Sequence, residues 1–271
     1  MILSGKQVAD SLLEEMKREL KKEPTLVVIQ VGENPASSTY IRMKRKACDY
    51  VGIRSVHLEF AEDVKESHLL SEIKRLNDDP KVSGILVQLP LPAHLTHVLD
   101  TIDPAKDVDG FHPINMGKLL LGLKGFVPCT PLGIHTLLKR SQISVEGKRV
   151  VIVGRSHIVG MPLAALWMQK RAGCNATVTV AHSCTPKLEE VTASADILVA
   201  AMGKPKFIKE HMVKEGAVVI DVGINRIDKK LVGDVDFEQV QHKCSTITPV
   251  PGGVGPMTVA MLLHNTIEAC A

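Results

Sequence analysis

Val150-Val-Ile-Val-Gly-Arg-Ser-His-Ile-Val-Gly-Met-Pro162 is the stretch of sequence that decides the fold. Its apolar, β-branched run stops at Gly154, and a second glycine, Gly160, comes where the next helix should begin. A strand, a tight turn and a helix start in this order predict a βα unit. Such a turn aims backbone N–H groups and the positive end of the helix at a bound group, which suits a phosphate.

This turn carries only part of the dinucleotide pattern G-x-G-x-x-G, because Ser156 stands where the second glycine would be. An ordinary βα turn of any α/β domain fits the same residues. The stretch by itself therefore leaves both interpretations open.

Composition limits the class of protein. The chain has 271 residues, enough for two domains, and 45% hydrophobic with 23% charged residues is typical of a globular protein. Aromatic residues make up only 3%, and the net charge is +3, so neither stacking on single strands nor attraction to a polyanion is indicated. We expect no nucleic-acid partner, although the basic run Arg42–Lys46 leaves weak nucleic-acid binding as an alternative.

Cysteine spacing and the N-terminus indicate the compartment. The six cysteines are scattered, without a C-x-x-C pair or metal-ligand spacing, as expected for reduced thiols. No basic and apolar leader opens the chain, and no apolar stretch approaches the ~20 residues of a membrane helix. We predict a cytoplasmic protein with no membrane partner and no metal.

Apolar strands alternate with amphipathic helices along the whole chain, which predicts an α/β fold with parallel sheets. Thr25–Val31 is a continuous apolar run typical of a strand buried on both faces, and Arg149–Val153 is another. Thr130 is the expected N-cap of the helix between the two halves. We predict two domains, an N-terminal α/β domain and a Rossmann-like dinucleotide-binding domain, with the last helix returning to the first.

Three polar residues of the first half are candidates for chemistry. Tyr40 and Lys44 are four residues apart on one helix face, near the carboxyl end of the preceding strand. Gln88 ends an otherwise apolar strand at the same edge of the sheet. The alternatives are a solvated lysine on a basic helix face and a structural hydrogen bond for the buried amide.

Asp103, Asp107 and Asp109 place three carboxylates within seven residues of one loop. Acidic loops are mostly solvated turns, and Asp109-Gly110 is an ordinary turn pair. No metal-ligand spacing accompanies them, so they do not predict a metal site.

The cofactor is predicted from the strand that follows Gly154. A dinucleotide with a free ribose 2′-OH calls for Asp or Glu about 20 residues on, but this sequence offers His182 and Ser183 there and Arg155 in the turn. A cation without a repelling carboxylate favours a 2′-phosphate, so we predict NADP rather than NAD. Glycines that end later strands, such as Gly203, would let the backbone approach the nucleotide. The alternative is that His182 and Ser183 simply begin a loop.

Six separated motifs together resemble one family. They are Tyr40-x-x-x-Lys44 after Gly-Glu-Asn-Pro-Ala-Ser, Gln88-Leu-Pro-Leu-Pro, Lys106-Asp-Val-Asp-Gly, Pro128-Cys-Thr-Pro, Gly154-Arg-Ser-x-x-Val-Gly-x-Pro and Pro251-Gly-Gly-Val-Gly-Pro-Met-Thr. In this order, and from about Leu3 to the C-terminus, the chain is similar to the bifunctional methylenetetrahydrofolate dehydrogenase/methenyltetrahydrofolate cyclohydrolase family.

The resemblance implies an NADP-linked oxidation of 5,10-methylenetetrahydrofolate to the methenyl form, then hydrolysis to 10-formyltetrahydrofolate at the same site. It implies a folate-binding catalytic domain over residues 1–128 and 256–271 and an NADP-binding domain over residues 129–255. Members of the family are commonly homodimers. A dehydrogenase of another small substrate and a non-catalytic NADP-binding protein are the alternatives.

The resemblance also implies residue roles. Lys44 is central to hydrolysis, Tyr40 stacks on or shapes the folate, Gln88 orients Lys44, and Asp109, rather than its two neighbours, binds the pterin. Pro251, Gly252 and Gly253 complete the substrate-binding set. The expected cofactor-binding residues are Gly154, Arg155, Ser156, His182, Ser183, Ile224, Thr130 and Gly203.

Two features of the sequence depart from the family. Met202 precedes Gly203 where many members have Thr or Val, and the segment between Pro92 and Asp109 is short.

The chemical role of Lys44 stays open. Burial near a positive substrate would make Lys44 a base, whereas a nearby Asp109 would keep it charged. The sequence leaves Lys44 as either a general base or an electrostatic and hydrogen-bonding group.

Overall fold

A computed structural model describes residues 1–32, 35–228 and 230–270, with only the backbone for residues 35–39. The turn that we predicted after the first strand includes Glu33 and Asn34, which lie outside the described residues. The chain forms two compact units. We call residues 10–129 and 259–270 the Lys44 unit, and residues 1–9 and 130–258 the Gly154 unit.

Helices and strands alternate through both units, as predicted. The helices are α1 (Gly5–Glu19), α2 (Pro35–Val51), α3 (Glu66–Asp78), α4 (Pro113–Leu121), α5 (Cys129–Arg140), α6 (Gly160–Trp167), α7 (Leu188–Ala193), α8 (Phe237–Val240) and α9 (Val254–Ala269). The strands are β1 (Thr25–Val31), β2 (Arg54–Phe60), β3 (Gly84–Val87), β4 (Arg149–Val153), β5 (Thr177–Ala181), β6 (Ile197–Ala200), β7 (Val218–Asp221), β8 (Asn225–Ile227), β9 (Lys230–Val232) and β10 (Thr246–Ile247).

The Lys44 unit is built on a parallel sheet of three strands in the order β2-β1-β3. All four residues of β3 are buried, and most of β1 is too, which is why these strands read as continuous apolar runs. Leu69, Ile73 and Leu76 of α3 pack in the core of this sheet. Because β1 and β3 pair in parallel, their carboxyl ends lie side by side.

The Gly154 unit is built on a parallel sheet of five strands in the order β10-β7-β6-β4-β5. The chain leaves β4 for β5 on one side, and later returns to pair β6 on the other side. This reversal is a topological switch point, where α/β sheets leave a crevice for ligands at the carboxyl ends of their strands. Gly154 directly follows β4 and so lies at the switch point.

Gly154 and Gly160 are required by close backbone packing. Gly154 has a φ of +123°, and a Cβ there would lie 2.1 Å from the carbonyl oxygen of Ala201. A Cβ at Gly160 would lie 2.0 Å from the carbonyl oxygen of Gly154. Ser156, which stands at the position of the second glycine, accepts a hydrogen bond from Val159 N through its hydroxyl, at 3.2 Å.

Two features of the Gly154 unit differ from the sequence analysis. Thr130 is not an N-cap, because α5 already begins at Cys129 and the Thr130 hydroxyl pairs with that of Thr258 at 3.0 Å. The β8–β9 hairpin was not predicted, since three-residue strands carry little periodicity. Residues 1–9 belong to this compact unit, where Leu3 N donates to Ile247 O at 2.7 Å; their assignment to the folate-binding domain stays a prediction.

Within the described residues, no helix combines the length and the apolar character needed to cross a membrane.

The close approach at Gly154 predicts a stability effect. Gly154→Ala should lower the free energy of unfolding of the Gly154 unit by about 3 kcal/mol, because both the φ angle and the contact with Ala201 oppose a side chain. Gly147→Ala is the matched control: its φ is +68°, but nothing lies within 4 Å of the added Cβ, so about 1 kcal/mol is expected.

The measurement is urea unfolding followed by the fluorescence of Trp167, which is fully buried in the Gly154 unit and is the single tryptophan of the sequence. Equal losses for the two alanine variants would contradict a specific role for the contact with Ala201.

Candidate functional sites

In the Lys44 unit, α2 and the end of β3 bring Lys44 and Gln88 together. The Lys44 side chain is only 7% exposed, and its Nζ donates a hydrogen bond to Gln88 Oε1 at 3.0 Å. The other end of the Gln88 amide is fixed, because Nε2 donates to Leu89 O at 2.9 Å. The backbone of Gln88 is held too, by donation of its N–H to Ile29 O at 2.8 Å. The amide oxygen is thereby presented to the ammonium or amine of Lys44.

Burial changes the acid–base properties of Lys44. Loss of solvent lowers the pKa of Lys44 below its ordinary value, and the charge of Asp109 is the main opposing effect. A buried lysine of this kind holds a larger neutral fraction near neutral pH than a solvated one. The arrangement can therefore accept a proton at Lys44 Nζ.

Asp109 has the complementary perturbation. Burial raises the pKa of the Asp109 carboxyl to about 6, while the positive charge of Lys44 acts in the opposite direction. The Cys129 thiol donates to Val108 O at 3.3 Å, and burial, with the charge of Asp109 acting in the same direction, raises the pKa of that thiol well above its usual range. Asp109, Lys44 and Cys129 thus form one electrostatically coupled group.

The neighbouring Asp107 has a structural role. Its buried carboxylate accepts hydrogen bonds from three consecutive backbone N–H groups, those of Gly110 at 3.1 Å, Phe111 at 3.3 Å and His112 at 2.8 Å. Asn115 Nδ2 also donates to it, at 2.9 Å. With both oxygens engaged in this turn, Asp107 shapes the loop that carries Asp109.

The other charged residues of the loop are also occupied locally. Lys106 Nζ donates to three backbone carbonyls at the C-terminal end of α3, those of Leu76, Asn77 and Asp79, at 2.9, 2.6 and 2.7 Å. Asp103 is exposed and accepts from Ala105 N at 2.8 Å. The three aspartates therefore have different partners: Asp103 and Asp107 accept hydrogen bonds from nearby backbone N–H groups, and Asp109 is electrostatically coupled to Lys44.

Asn265 of α9 was missed by the sequence analysis. It is 1% exposed, and its Nδ2 donates to Val108 O at 2.9 Å and to Val127 O at 3.2 Å. These two carbonyls flank Asp109 and Cys129 in sequence, so Asn265 joins the loops that carry them. A polar amide within the apolar stripe of the last helix was the signal available in the sequence.

The remaining predicted substrate residues are placed as follows. Tyr40 lies on α2 four residues before Lys44, is half-buried, and has a pKa raised by burial. Pro251, Gly252 and Gly253 belong to the Gly154 unit, where Gly252 O accepts from Lys6 N at 2.9 Å. Their role at a folate site stays a prediction.

The Gly154 unit has a cavity of about 340 Å³ at the carboxyl end of β4. Five predicted cofactor residues line it together, with six further residues. The lining residues are Val153, Gly154, Arg155, Ser156, His182, Ser183, Leu188, Ala201, Met202, Lys204 and Phe207. Arg155 and Lys204 supply positive charge, and none of the described lining residues is acidic, so the cavity suits a phosphate-bearing ligand.

Lys204 and Phe207 were not predicted as cofactor residues. The Lys204 ammonium lies 5.4 Å from the centre of the Phe207 ring. Gly203 follows Met202 at the same loop and has a φ of +67°. Ile224 is 46% exposed and, like Thr130, is not part of the cavity lining.

Among the described side chains, no group of three or more His, Cys, Asp or Glu residues could hold a metal ion.

Comparison with known proteins matches both halves of the chain. Residues 3–109 match the family model described as the tetrahydrofolate dehydrogenase/cyclohydrolase catalytic domain. Residues 128–271 match the model described as the tetrahydrofolate dehydrogenase/cyclohydrolase NAD(P)-binding domain. The two models therefore divide the chain in the order that the sequence predicts.

Curated and solved relatives match over nearly their whole length. The bifunctional protein FolD of Agathobacter rectalis is 54% identical over 99% of this chain and 98% of its own. The solved bifunctional methylenetetrahydrofolate dehydrogenase/cyclohydrolase of Campylobacter jejuni is 49% identical, covers 100% and 98% of the two chains, and has a TM-score of 0.96. A Trypanosoma brucei methylenetetrahydrofolate dehydrogenase-cyclohydrolase, solved with NADP and an inhibitor, is 38% identical, covers 100% and 97%, and has a TM-score of 0.93.

Proposed function

The chain belongs to the tetrahydrofolate dehydrogenase/cyclohydrolase family, and we propose that Lys44, Gln88 and Asp109 form the hydrolytic centre of its two activities. The protein oxidises 5,10-methylenetetrahydrofolate to the methenyl form with NADP, and it hydrolyses that product to 10-formyltetrahydrofolate. The observation that supports the assignment is the buried hydrogen bond between Lys44 and Gln88, next to the Asp109 carboxyl.

The oxidation requires positioning more than acid–base catalysis. The reacting carbon is flanked by two nitrogens whose lone pairs stabilise the cation left when hydride departs, and bound NADP supplies the hydride acceptor. We assign the dinucleotide to the cavity that follows β4. There Gly154 allows close backbone approach, and Arg155, with Ser156 and Ser183, would hold the 2′-phosphate.

The hydrolysis uses the unusual properties of Lys44. The oxygen of water bonds to the cationic methenyl carbon, and one water proton passes to the neutral amine of Lys44. The bond from this carbon to one ring nitrogen then breaks as the adduct's hydroxyl loses its proton to solvent and becomes the formyl C=O, and the proton held by Lys44 passes to the released nitrogen. Burial favours the neutral amine before the transfer, whereas the Asp109 carboxylate stabilises the protonated amine after it. We therefore assign Lys44 as the general base, oriented by Gln88.

The domain roles follow from these assignments. We propose that residues 1–128 and 256–271 serve folate binding and hydrolysis, and that residues 129–255 serve the dinucleotide. The family resemblance implies that Tyr40 shapes the folate site and that Pro251–Gly253 belong to the substrate-binding set. The role of Tyr40 is supported by its position on α2, one helical turn from Lys44.

Turnover and one substitution test the main proposal. Purified protein given 5,10-methylenetetrahydrofolate and NADP should form the methenyl and then the formyl product. Lys44→Met should lower the enzymatic hydrolysis by about 100-fold or more, because the proton acceptor is lost, and should leave NADP affinity unchanged. Lys46→Met is the control, since Lys46 is exposed on the same helix.

Absence of turnover with both NADP and NAD would exclude the enzyme and favour a non-catalytic dinucleotide-binding protein. Turnover of other small substrates in preference to folate would favour a different dehydrogenase. Hydrolysis by Lys44→Met at the wild-type rate would remove Lys44 from its role.

The coupling of Asp109 to Lys44 predicts a pH effect. The Asp109 carboxylate raises the pKa of Lys44, so Asp109→Asn should lower that pKa further. Because hydrolysis requires the neutral amine, kcat/KM for hydrolysis should rise with pH. In Asp109→Asn this rise should occur at lower pH than in the wild type, whatever the loss in maximal rate. The measurement is kcat/KM for the hydrolysis against pH, corrected for the uncatalysed rate, with the exposed Asp103→Asn as control. A profile that does not move would show that Asp109 is not coupled to Lys44.

We also propose that the protein acts as a homodimer. Strand β5 is an edge strand of the five-stranded sheet, and Thr177, Thr179 and Val180 on it are exposed. An exposed edge strand is a template for pairing with a second chain. Sedimentation velocity should give a dimer for the wild type and a monomer for Val180→Lys; a wild-type monomer would contradict the proposal.

A cytoplasmic location is proposed from the cysteines. All six are free thiols, four of them buried, as expected in a reducing compartment. Cell fractionation would check this location.

A further inference from the structure

Asp234 is a fully buried carboxylate of the Gly154 unit that the proposed reaction does not use. Its Oδ2 accepts hydrogen bonds from two backbone N–H groups, that of Met202 at 2.7 Å and that of Gly203 at 2.9 Å. Its Oδ1 accepts from Asn225 Nδ2 at 2.9 Å. A group that only accepts hydrogen bonds is needed here, because all three partners are donors.

Of the two segments held by Asp234, the first borders the proposed dinucleotide cavity, and the second is expected to contact the dinucleotide from the family resemblance. Met202 lines the cavity after β4, and Gly203, with its φ of +67°, follows it in the loop after β6. Asn225 directly follows Ile224, which is among the expected cofactor residues. One carboxylate thus joins the segments that follow β6 and β7, next to the switch point of the sheet.

A second buried carboxylate, Asp221, fixes Asp234 itself. Asp221 Oδ1 accepts from Asp234 N at 2.8 Å and from Gly223 N at 3.1 Å, and Oδ2 accepts from Val235 N at 2.9 Å. Thr248 Oγ1 accepts from Asp221 N at 2.8 Å. The position of the Asp234 backbone is therefore set from the end of β7, which leaves its side chain little freedom.

Glycines make room for both carboxylates. A Cβ at Gly223 would lie 2.1 Å from Asp234 Oδ1, and a Cβ at Gly233 would lie 1.8 Å from Asp221 Oδ2. The backbone is thus closely packed around these oxygens. The fit indicates that the local chain is arranged to keep a carboxylate at this place.

We propose that Asp234 is a positioning residue for the cofactor: its carboxylate holds the Met202–Gly203 and Ile224–Asn225 segments in the shape that binds NADP, without touching the dinucleotide. The inference rests on the proposed assignment of NADP to the cavity after β4. It concerns the oxidation alone, because hydrolysis of added methenyltetrahydrofolate depends on Lys44 and its neighbours and needs no dinucleotide. The two activities of one protein therefore provide an internal comparison.

The test compares three variants of the full chain. Asp234→Ala removes all three acceptor contacts and should raise the NADP Kd and lower kcat/KM for the oxidation, each by about 10-fold, which corresponds to about 1.4 kcal/mol. Hydrolysis of added methenyltetrahydrofolate should change by less than about two-fold. NADP affinity is measured by calorimetric titration, and folding by the thermal unfolding midpoint.

The NADP affinity of Asp234→Asn should lie between those of the wild type and Asp234→Ala, with a rise in Kd of about three-fold. Its amide oxygen can still accept from Met202 N and Gly203 N, and its NH₂ can donate to Asn225 once that amide turns. The matched control is Asp228→Asn, which removes the same charge from an exposed position in the turn of the β8–β9 hairpin. This control should bind NADP as the wild type does.

The outcomes separate the two proposals. A wild-type protein that does not bind NADP would overturn the proposed cofactor site itself. Wild-type affinity in Asp234→Ala would overturn the positioning role alone. A parallel loss of oxidation and hydrolysis in Asp234→Asn would assign Asp234 to general stability and would also overturn it. If Asp234→Ala does not fold, a raised NADP Kd in folded Asp234→Asn with normal hydrolysis still supports the inference, and an unchanged Kd contradicts it.

Discussion

Parallel pairing of strands is the constraint on which both candidate sites depend. It brings the carboxyl ends of neighbouring strands to one edge of each sheet, so residues that are far apart in sequence meet there. In the Lys44 unit this edge receives Gln88 from the end of β3 and is followed by α2, which carries Lys44. In the Gly154 unit it receives the Gly154 turn and the His182–Ser183 end of β5, which line one cavity.

Buried charge is the second feature on which the candidate sites depend. Its effect is set by the hydrogen-bond donors, acceptors and charges that surround each buried side chain. The Lys44 Nζ donates to the amide oxygen of Gln88, and burial lowers the pKa of Lys44 while the charge of Asp109 opposes this shift. Asp107 and Asp234 are buried as deeply, yet their oxygens accept several N–H donors and serve to shape loops. Asp109 lies between these cases, with a coupled lysine and a raised pKa. Buried aspartates thus differ with their surroundings: Asp109 is coupled to a lysine, whereas Asp107 and Asp234 hold loops through hydrogen bonds.

Much of the fold was predictable because its signals are local. The apolar runs Thr25–Val31 and Arg149–Val153 are strands with the predicted bounds. The chain switches from strand to helix at Gly154 and Gly160 as the pattern indicated. The wrong N-cap at Thr130 and the unpredicted β8–β9 hairpin have different causes. The Thr130 hydroxyl pairs with that of the distant Thr258, whereas the two three-residue strands of the hairpin are too short to show a periodicity.

The sequence by itself determined the α/β class, the alternation of elements, the family, and the residue types at the candidate site of the Lys44 unit. These follow from periodicity, glycine spacing and motif order, all of which are local properties. Only the tertiary structure decided that Asp109 is electrostatically coupled to Lys44, that Lys106 binds the end of α3, and that Asp234 accepts hydrogen bonds from Met202 N and Gly203 N. The physical reason is that desolvation and hydrogen-bond partners come from segments distant in sequence, and these set the role of a polar side chain.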